Sequence, residues 1–353
     1  MFNSKNPWSN RLWRFAVAAL ALLGASAGAP VLAADAALIA AAKKEGQVVW
    51  YTTQIINQFA RPAADAFQKK YGIKVNYVRA DSKAVTLRLL NEGRAGRVQA
   101  DVFDGTAGVA PLKKLNLVEK WTPDSVNRLD KQFIDATGYW TATNLYVLSP
   151  AFNTKLIPAA EAPKTLEDLL NPKWKGKITW NASPTMSGSA GFVGMIVTTM
   201  GEQKGRDYLQ KLADQNLFPL QMSAREVLNQ VIRGESQIAL NIFNNHAVIS
   251  SGEGAPVAWI PMQPVTGVLS VAALTKGAPH PNAGKLFIDF LVSPEGQNLF
   301  RDADYIPVDP KILPRHPELK PDGTKLRAVY FSPEQIDVGM PKWMNIYKAY
   351  FQQ

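Results

Sequence analysis

The chain has 353 residues, no cysteine and a formal net charge of +10. Without cysteine it has no thiol nucleophile, iron–sulfur cluster or thiolate zinc site, and a chain this long buries enough core to fold without disulfides. Its basic residues are scattered among acids, with no basic run interleaved with aromatics, so the charge suits an anionic ligand or partner surface and not nucleic acid.

The chain opens with Lys5, Arg11 and Arg14, then an apolar run, FAVAALALLGASAG, then PVLAADA. Cations, a short apolar core and small residues make a secretory leader, cut near Ala33 or Ala34. The run is shorter than the ~20 residues a spanning helix needs, so an exported, periplasmic protein is expected. By its length the remainder suggests two domains.

A helix over 36–44 ends at Gly46, and QVVWYTT is the first strand. Phe59, Ala63, Ala66 and Phe67 fall on one helical face up to Tyr71, and Gly72 stops that helix. KVNYVRA is a second strand; Ser82 is read as the N-cap of a helix through Leu90, with Gly93 just beyond. ADVFDG is a third strand. Such alternation predicts a parallel, helix-flanked sheet, whose ligand crevice lies past the carboxyl ends of its strands.

The second half keeps the same style. KITWNAS reads as a strand, followed by small residues and an apolar helix over 192–200. Helices follow over 205–213 and 225–233, the latter ended by Gly234, then the strand SQIALNIF. VAWIPM and GVLSVAAL are strands, 282–291 is a helix, and an aromatic helix over 342–351 closes the chain. Two extended segments, near 137–149 and 264–274, are read as crossings between lobes. They divide the chain into one lobe of 35–140 plus about 268–308 and another of 141–267 plus about 309–353.

Four strings carry a family resemblance: AAKKEGQVVWYTT; ADVFDG with LVEKW; YVLSPAFNTKLIP with TLEDLLNPKWKGKI; and LTKGAPHPNAGKLFIDFLVSPEGQNLF. Together they resemble the bacterial extracellular solute-binding proteins that include ferric-ion, aminoethylphosphonate, hexose-phosphate and thiamine binders. The resemblance implies a two-lobed, α/β type II periplasmic-binding-protein fold with a hinge and a central cleft. It also implies a monomer that takes a small-molecule ligand to the membrane permease subunits of an ABC importer, without cofactor or catalysis. A ligand-sensing role presenting a bound lobe to a receptor fits the same fold.

Within that frame the residues nominate a site. At SPTMSGSAG, 183–191, a strand gives way to small residues and then a helix start. Free N–H groups and the helix dipole there let Ser187, Gly188 and Ser189 cradle a carboxylate or phosphate. The resemblance points the same way, since ferric-ion relatives hold an accompanying anion on a similar step. Thr52, Thr53 and Gln54, then Ser82 with Arg79 nearby, then Thr106, end the first three strands and offer hydrogen bonds to an oxyanion. Arg225 opens a helix and is a candidate anion partner. Asn244, Asn245 and His246 stand where the ferric relatives carry paired tyrosines, and Thr106 stands where a ligating glutamate is often found. Neutral amides do not supply the charge ferric iron needs, so the expectation is an organic anion and no metal, with a ferric binder of the same fold as the rival. No HExxH or G-x-S-x-G pattern is present, and the three histidines, 246, 280 and 316, are dispersed.

Overall fold

Apolar strands alternate with amphipathic helices through the described part of the chain. The computed structural model of the protein describes residues 36–352, so the leader read at 1–34 and its cleavage point lie outside them. The first elements follow the hydrophobic pattern closely: α1 (Ala36–Glu45), β1 (Gln47–Thr52), α2 (Arg61–Tyr71), β2 (Lys74–Arg79), α3 (Ser82–Arg94) and β3 (Val102–Gly105). Gly72, at φ 72°, ends α2 by donating its N–H to Gln68; a left-handed C-cap of this kind favours glycine.

The start of α3 corrects the sequence reading. Asp81, not Ser82, is the N-cap: its backbone is extended and its carboxylate accepts the Ala84 N–H at 2.9 Å. An aspartate caps as well as a serine, and this one sits a residue earlier. The helix also runs past Leu90, with Gly93 inside it and so close to Leu117 that an added Cβ would lie 2.4 Å from that side chain.

Next come α4 (Val109–Lys114), β4 (Val118–Glu119), β5 (Thr141–Asn153), β6 (Ile178–Asn181), α5 (Ser189–Met200), α6 (Glu202–Ala213), β7 (Phe218–Leu220), α7 (Ala224–Arg233) and β8 (Ile238–Phe243). The chain closes with α8 (Asn244–Gly252), β9 (Val257–Trp259), β10 (Val265–Thr275), α9 (Pro281–Val292), α10 (Pro294–Asp302), β11 (Ile306–Pro307), β12 (Ala328–Phe331) and α11 (Pro333–Phe351). The last helix starts well before the aromatic stretch that marks it in sequence. Ser332 and Gln335 form a capping box there, and Pro341 is accommodated within it.

The strands of the described residues form one mixed sheet in the order β2-β1-β3-β10-β5-β8-β6-β7, with β4 and β12 on β10 and β9 and β11 on β5. The long strands β5 and β10 run antiparallel along each other. β10 carries β3 beside its C-terminal half, and β5 carries β8 beside its own. Within the sheet the two parallel halves, β2-β1-β3 and β8-β6-β7, are joined through this central pair, which occupies the segments read as crossings; outside it, Lys113 and Lys114 of α4 pair with Glu334 and Asp337 of α11. Residues 137–140 precede the strand and are gathered by Asp135, whose carboxylate accepts the N–H groups of Thr137 and Tyr139.

Each half has its own aromatic core. Trp50, Phe59, Phe67, Phe287, Phe290 and Phe300 pack behind β1, with Phe59 stacked on Phe300 at 3.8 Å between ring centroids. Trp180, Phe192, Trp343 and Tyr347 pack behind β6. Each such side chain contributes roughly 1.5–3 kcal/mol on burial, and together they fix where the strand ends project.

Candidate functional site

The end of β1 is organised around a buried acid. The Asp104 carboxylate, on β3, accepts Thr52 Oγ1 at 2.6 Å and both the N–H and the Oγ1 of Thr53 at 3.0 Å. Desolvation pushes this carboxyl up to about 6, against the downward pull of those threonine hydrogen bonds. Gln54 donates its N–H to Thr52 Oγ1 at 3.1 Å. Its amide donates to Asn144 Oδ1 at 3.0 Å and Ser270 Oγ at 3.2 Å, and accepts the Tyr146 hydroxyl at 3.2 Å. Thr52 and Gln54 are thus consumed in holding the wall, and Thr53, half-buried, is the member of the trio at the surface.

Ser82 and Thr106 flank this wall. The Ser82 hydroxyl lies 3.3 Å from the point where a Cβ on Gly105 would project, and Thr106 follows directly, half-buried. Arg79 pairs in register with Thr52 across β1 and β2 and is exposed. Behind them Tyr146 and Tyr305 pack edge to face at 5.7 Å. Burial raises the Tyr305 phenol to about 12 and Tyr146 well above its ordinary value, so both are neutral hydroxyls.

A second group of candidates is the 183–189 loop, at the start of α5. Its carbonyls turn inward: Ser183 O accepts Thr185 N–H, and Thr185 O accepts the N–H groups of both Gly188 and Gly191. Met186 O and Gly188 O accept the Asn241 side-chain amide at 2.6 and 3.1 Å. The N–H groups of Ser187, Ser189 and Ala190 donate to no group of the described chain. Ser187 is half-buried beside Thr185, Oγ to Oγ1 3.4 Å. Gly188 is buried, and a Cβ on it would come within 2.0 Å of Ser183 O, so no side chain fits there. Ser189 is buried too, and its hydroxyl has no hydrogen-bond partner. The loop thus offers a ligand backbone donors and one hydroxyl.

The remaining candidates are on α7 and α8. Arg225 donates to Ser250 Oγ at 2.9 Å and to His246 O at 3.3 Å, bracing α7 against α8. Burial, and then the Arg225 charge, push His246 down to about 4, so it is neutral at pH 7. Its ring packs on Phe243 at 5.1 Å, and Phe243 packs on Tyr146 at 5.2 Å, linking α8 to the first wall. Asn244 and Asn245 are buried and line a narrow crevice with Asp304, Ile306, Arg315 and His316. Trp140 and Trp180, residues able to stack on a ligand, are core side chains.

The structure therefore sets Thr52, Thr53, Gln54, Ser82 and Thr106 together at the ends of β1 and β3 and the start of α3, and Ser187, Gly188 and Ser189 together before α5; Asn244, Asn245 and His246 open α8, where Arg225 of α7 donates to His246 O. Sequence reasoning missed Asp104, Asn144, Tyr146, Asn241, Ser270 and Tyr305. A legible signal existed for three of them: Asp104, Asn144 and Asn241 are polar residues inside otherwise apolar strands.

A larger cavity, of 1530 Å³, lies elsewhere, lined by Phe133, Leu145, Val248, Trp259 and Tyr330 among others. Alternate side chains of a strand point to opposite faces, so Leu145 faces this cavity while Asn144 and Tyr146 face the polar wall. None of the candidate residues lines it.

Comparison with known proteins gives the family. Residues 100–326 match the profile of the bacterial extracellular solute-binding proteins. A putative 2-aminoethylphosphonate-binding periplasmic protein of Salmonella typhimurium is 25% identical over 308 residues, covering 86% of this chain and 85% of its own. The major ferric iron-binding protein of Neisseria meningitidis is 27% identical over 292 residues, covering 79% and 86%. Among solved structures, the periplasmic binding protein AfuA from Actinobacillus pleuropneumoniae, bound to fructose-6-phosphate, superposes with a TM-score of 0.72 at 22% identity over 87% of this chain and 99% of its own. The fold is thus the two-lobed type II architecture, and the chain belongs to the bacterial extracellular solute-binding proteins.

Proposed function

We propose that the protein is the periplasmic solute-binding component of an ABC importer and that its solute is a small organic anion, a phosphonate, sugar phosphate or carboxylate. The observation that carries this reading is the 183–189 loop, where three backbone N–H groups and the Ser187 hydroxyl are left as donors at the start of an α-helix. Such a site binds an oxyanion without a formal positive charge. Thr53, Ser82 and Thr106 supply hydroxyls from the opposing wall, with the Arg79 guanidinium at its edge. Neutral amides at Asn244 and Asn245 favour an organic anion over ferric iron, which calls for anionic oxygen donors.

Closure is the mechanism this arrangement supports. The halves are joined through β5 and β10, so a rotation there changes the gap between the walls without breaking either core. A ligand that touches both walls stabilises the closed state by its extra contacts. The lobes of this reading are those suggested by the sequence, 35–140 with 268–308 and 141–267 with 309–353.

A thermal-shift screen tests the reading. The purified mature protein is challenged with 2-aminoethylphosphonate, hexose phosphates, small dicarboxylates and ferric citrate. A ligand present at 100 times its Kd adds about 2.7 kcal/mol to folded stability. The expected outcome is a clear rise in Tm with one oxyanion class and no coloured ferric complex. A visible iron charge-transfer band, with no response to any organic anion, would replace the anion reading with the ferric one.

A further inference from the structure

Asn241 has features that its place in β8 does not demand. It is 2% exposed, and its φ is +59°, inside a strand. The cause is a bulge. Ile242 pairs with Ser149 and Ala239 with Ala151, so Leu240 and Asn241 together face only Pro150, which has no N–H to offer. Bulges re-aim side chains, and asparagine tolerates the left-handed region better than most residues. The re-aimed amide spends both N–H bonds on one target: it donates to Met186 O at 2.6 Å and to Gly188 O at 3.1 Å.

Those two carbonyls flank Ser187. The Ser183 and Thr185 carbonyls are already held by Thr185 N–H and by the N–H groups of Gly188 and Gly191. A carbonyl oxygen turned into the cleft would repel an anion, whereas an N–H attracts one. With these four oxygens held, the donors of Ser187, Ser189 and Ala190 are left to a ligand, beside the unbonded carbonyls of Pro184 and Ser187.

We propose that Asn241 is the positioning residue of the anion loop: its amide pins the Met186 carbonyl, and together with the Phe192 N–H the Gly188 carbonyl, to the bulge in β8 and so keeps both away from an anion at the donors of Ser187, Ser189 and Ala190. This rests on the oxyanion reading of the loop and adds the residue that imposes that selectivity. Asn241 itself touches no ligand. The role explains why a conformationally costly residue stands in a central strand.

The test uses the whole mature protein with inorganic phosphate as the probe, read at the backbone amide resonances of Ser187, Ser189 and Ala190. In the wild type these resonances shift and saturate. Asn241→Gly keeps the left-handed backbone and removes the amide. Its phosphate affinity is expected to fall at least tenfold, with the β1 and β3 resonances unchanged. Asn241→Asp keeps size and backbone preference but places acceptors against acceptors, and is expected to abolish the shifts. It serves as the second variant if the glycine form folds poorly. In the wild type alone, a scalar coupling across the hydrogen bonds from the Asn241 side-chain nitrogen to the Met186 and Gly188 carbonyl carbons reports the contact directly. Unchanged phosphate affinity in either folded variant, or absence of that coupling, overturns the proposal and leaves the oxyanion reading standing. Absence of any phosphate-dependent shift at 187–190 in the wild type removes the reading and the proposal with it.

Discussion

Asp104→Asn probes the first wall through its charge. The folded carboxyl sits at about 6, against an ordinary 3.8, with burial as the main cause. A difference of about two units corresponds to about 3 kcal/mol. A carboxyl that is harder to ionise when folded takes up protons on folding. The stability linked to it is therefore complete below about pH 3.8 and is lost as pH rises to about 6. Asparagine is neutral throughout and isosteric. Its oxygen can accept from Thr53 and its amide can donate to Thr52 Oγ1, which now donates to the acid. The variant should therefore gain on the wild type by about 3 kcal/mol between about pH 4 and pH 6.5, less about 1 kcal/mol at all pH for weaker hydrogen bonds. Urea denaturation of both proteins across that range measures the gap. A wild-type-to-variant difference that does not change with pH refutes the reasoning, because it means Asp104 is not carrying a buried charge.

Other outcomes are as definite. Ser187→Asp places a carboxylate among the loop donors and should abolish binding of the anion that scores in the thermal-shift screen, while the melting temperature without ligand moves by no more than about 1 °C, as for a surface change. His246, at about 4 against an ordinary 6.5, should show no imidazole titration by NMR from about pH 7.5 down to pH 5.5; the stability linked to its neutral form is intact above 6.5 and is lost as pH falls toward 4. Gly194→Ala should cost about 1–3 kcal/mol by overpacking, because a Cβ there meets the Trp343 ring at 2.5 Å, and chemical denaturation reads that directly. Asp135 accepts from Lys113 at 2.9 Å and from the Thr137 and Tyr139 backbone; although burial opposes it, these bonds hold its carboxyl below the ordinary value. Asp135→Asn should therefore destabilise at neutral pH, and the deficit should shrink as pH falls below about 3.8.

The sequence made the framework readable where periodicity and punctuation agreed. Val48, Trp50 and Thr52 on one strand, Ala63 and Phe67 on the following helix, and the stop at Gly72 stand in the structure as the pattern implies, while Phe59 falls in a π-helical turn, Ile56–Ala60, that leads into that helix. Boundaries slipped where two neighbouring residues suit one role, as with Asp81 and Ser82, or where tertiary packing accepts a glycine inside a helix, as at Gly93 against Leu117. The candidate site was half legible. Small residues before α5 announced a donor loop, and strand ends announced hydroxyls. The residues that arrange them come from distant parts of the chain: Asn241 reaches back 55 positions to Met186, and Gln54 reaches forward 216 to Ser270. No local pattern encodes such pairings. The burial that turns Arg225 into a brace, and His246 into a neutral ring, likewise depends on how α7 meets α8.

Closure of the two walls on a bound anion is the claim on which the rest depends, and a cysteine-free chain makes it accessible to a distance measurement. Spin labels at Lys83→Cys on α3 and Lys204→Cys on α6, both exposed positions in opposite halves, report the gap between the halves by pulsed electron resonance. Saturating amounts of the anion that scores in the thermal-shift screen should move the distribution to a shorter, narrower distance, and Ser187→Asp should hold it at the ligand-free value. An unchanged distribution in a sample whose calorimetry shows the anion bound would contradict the account.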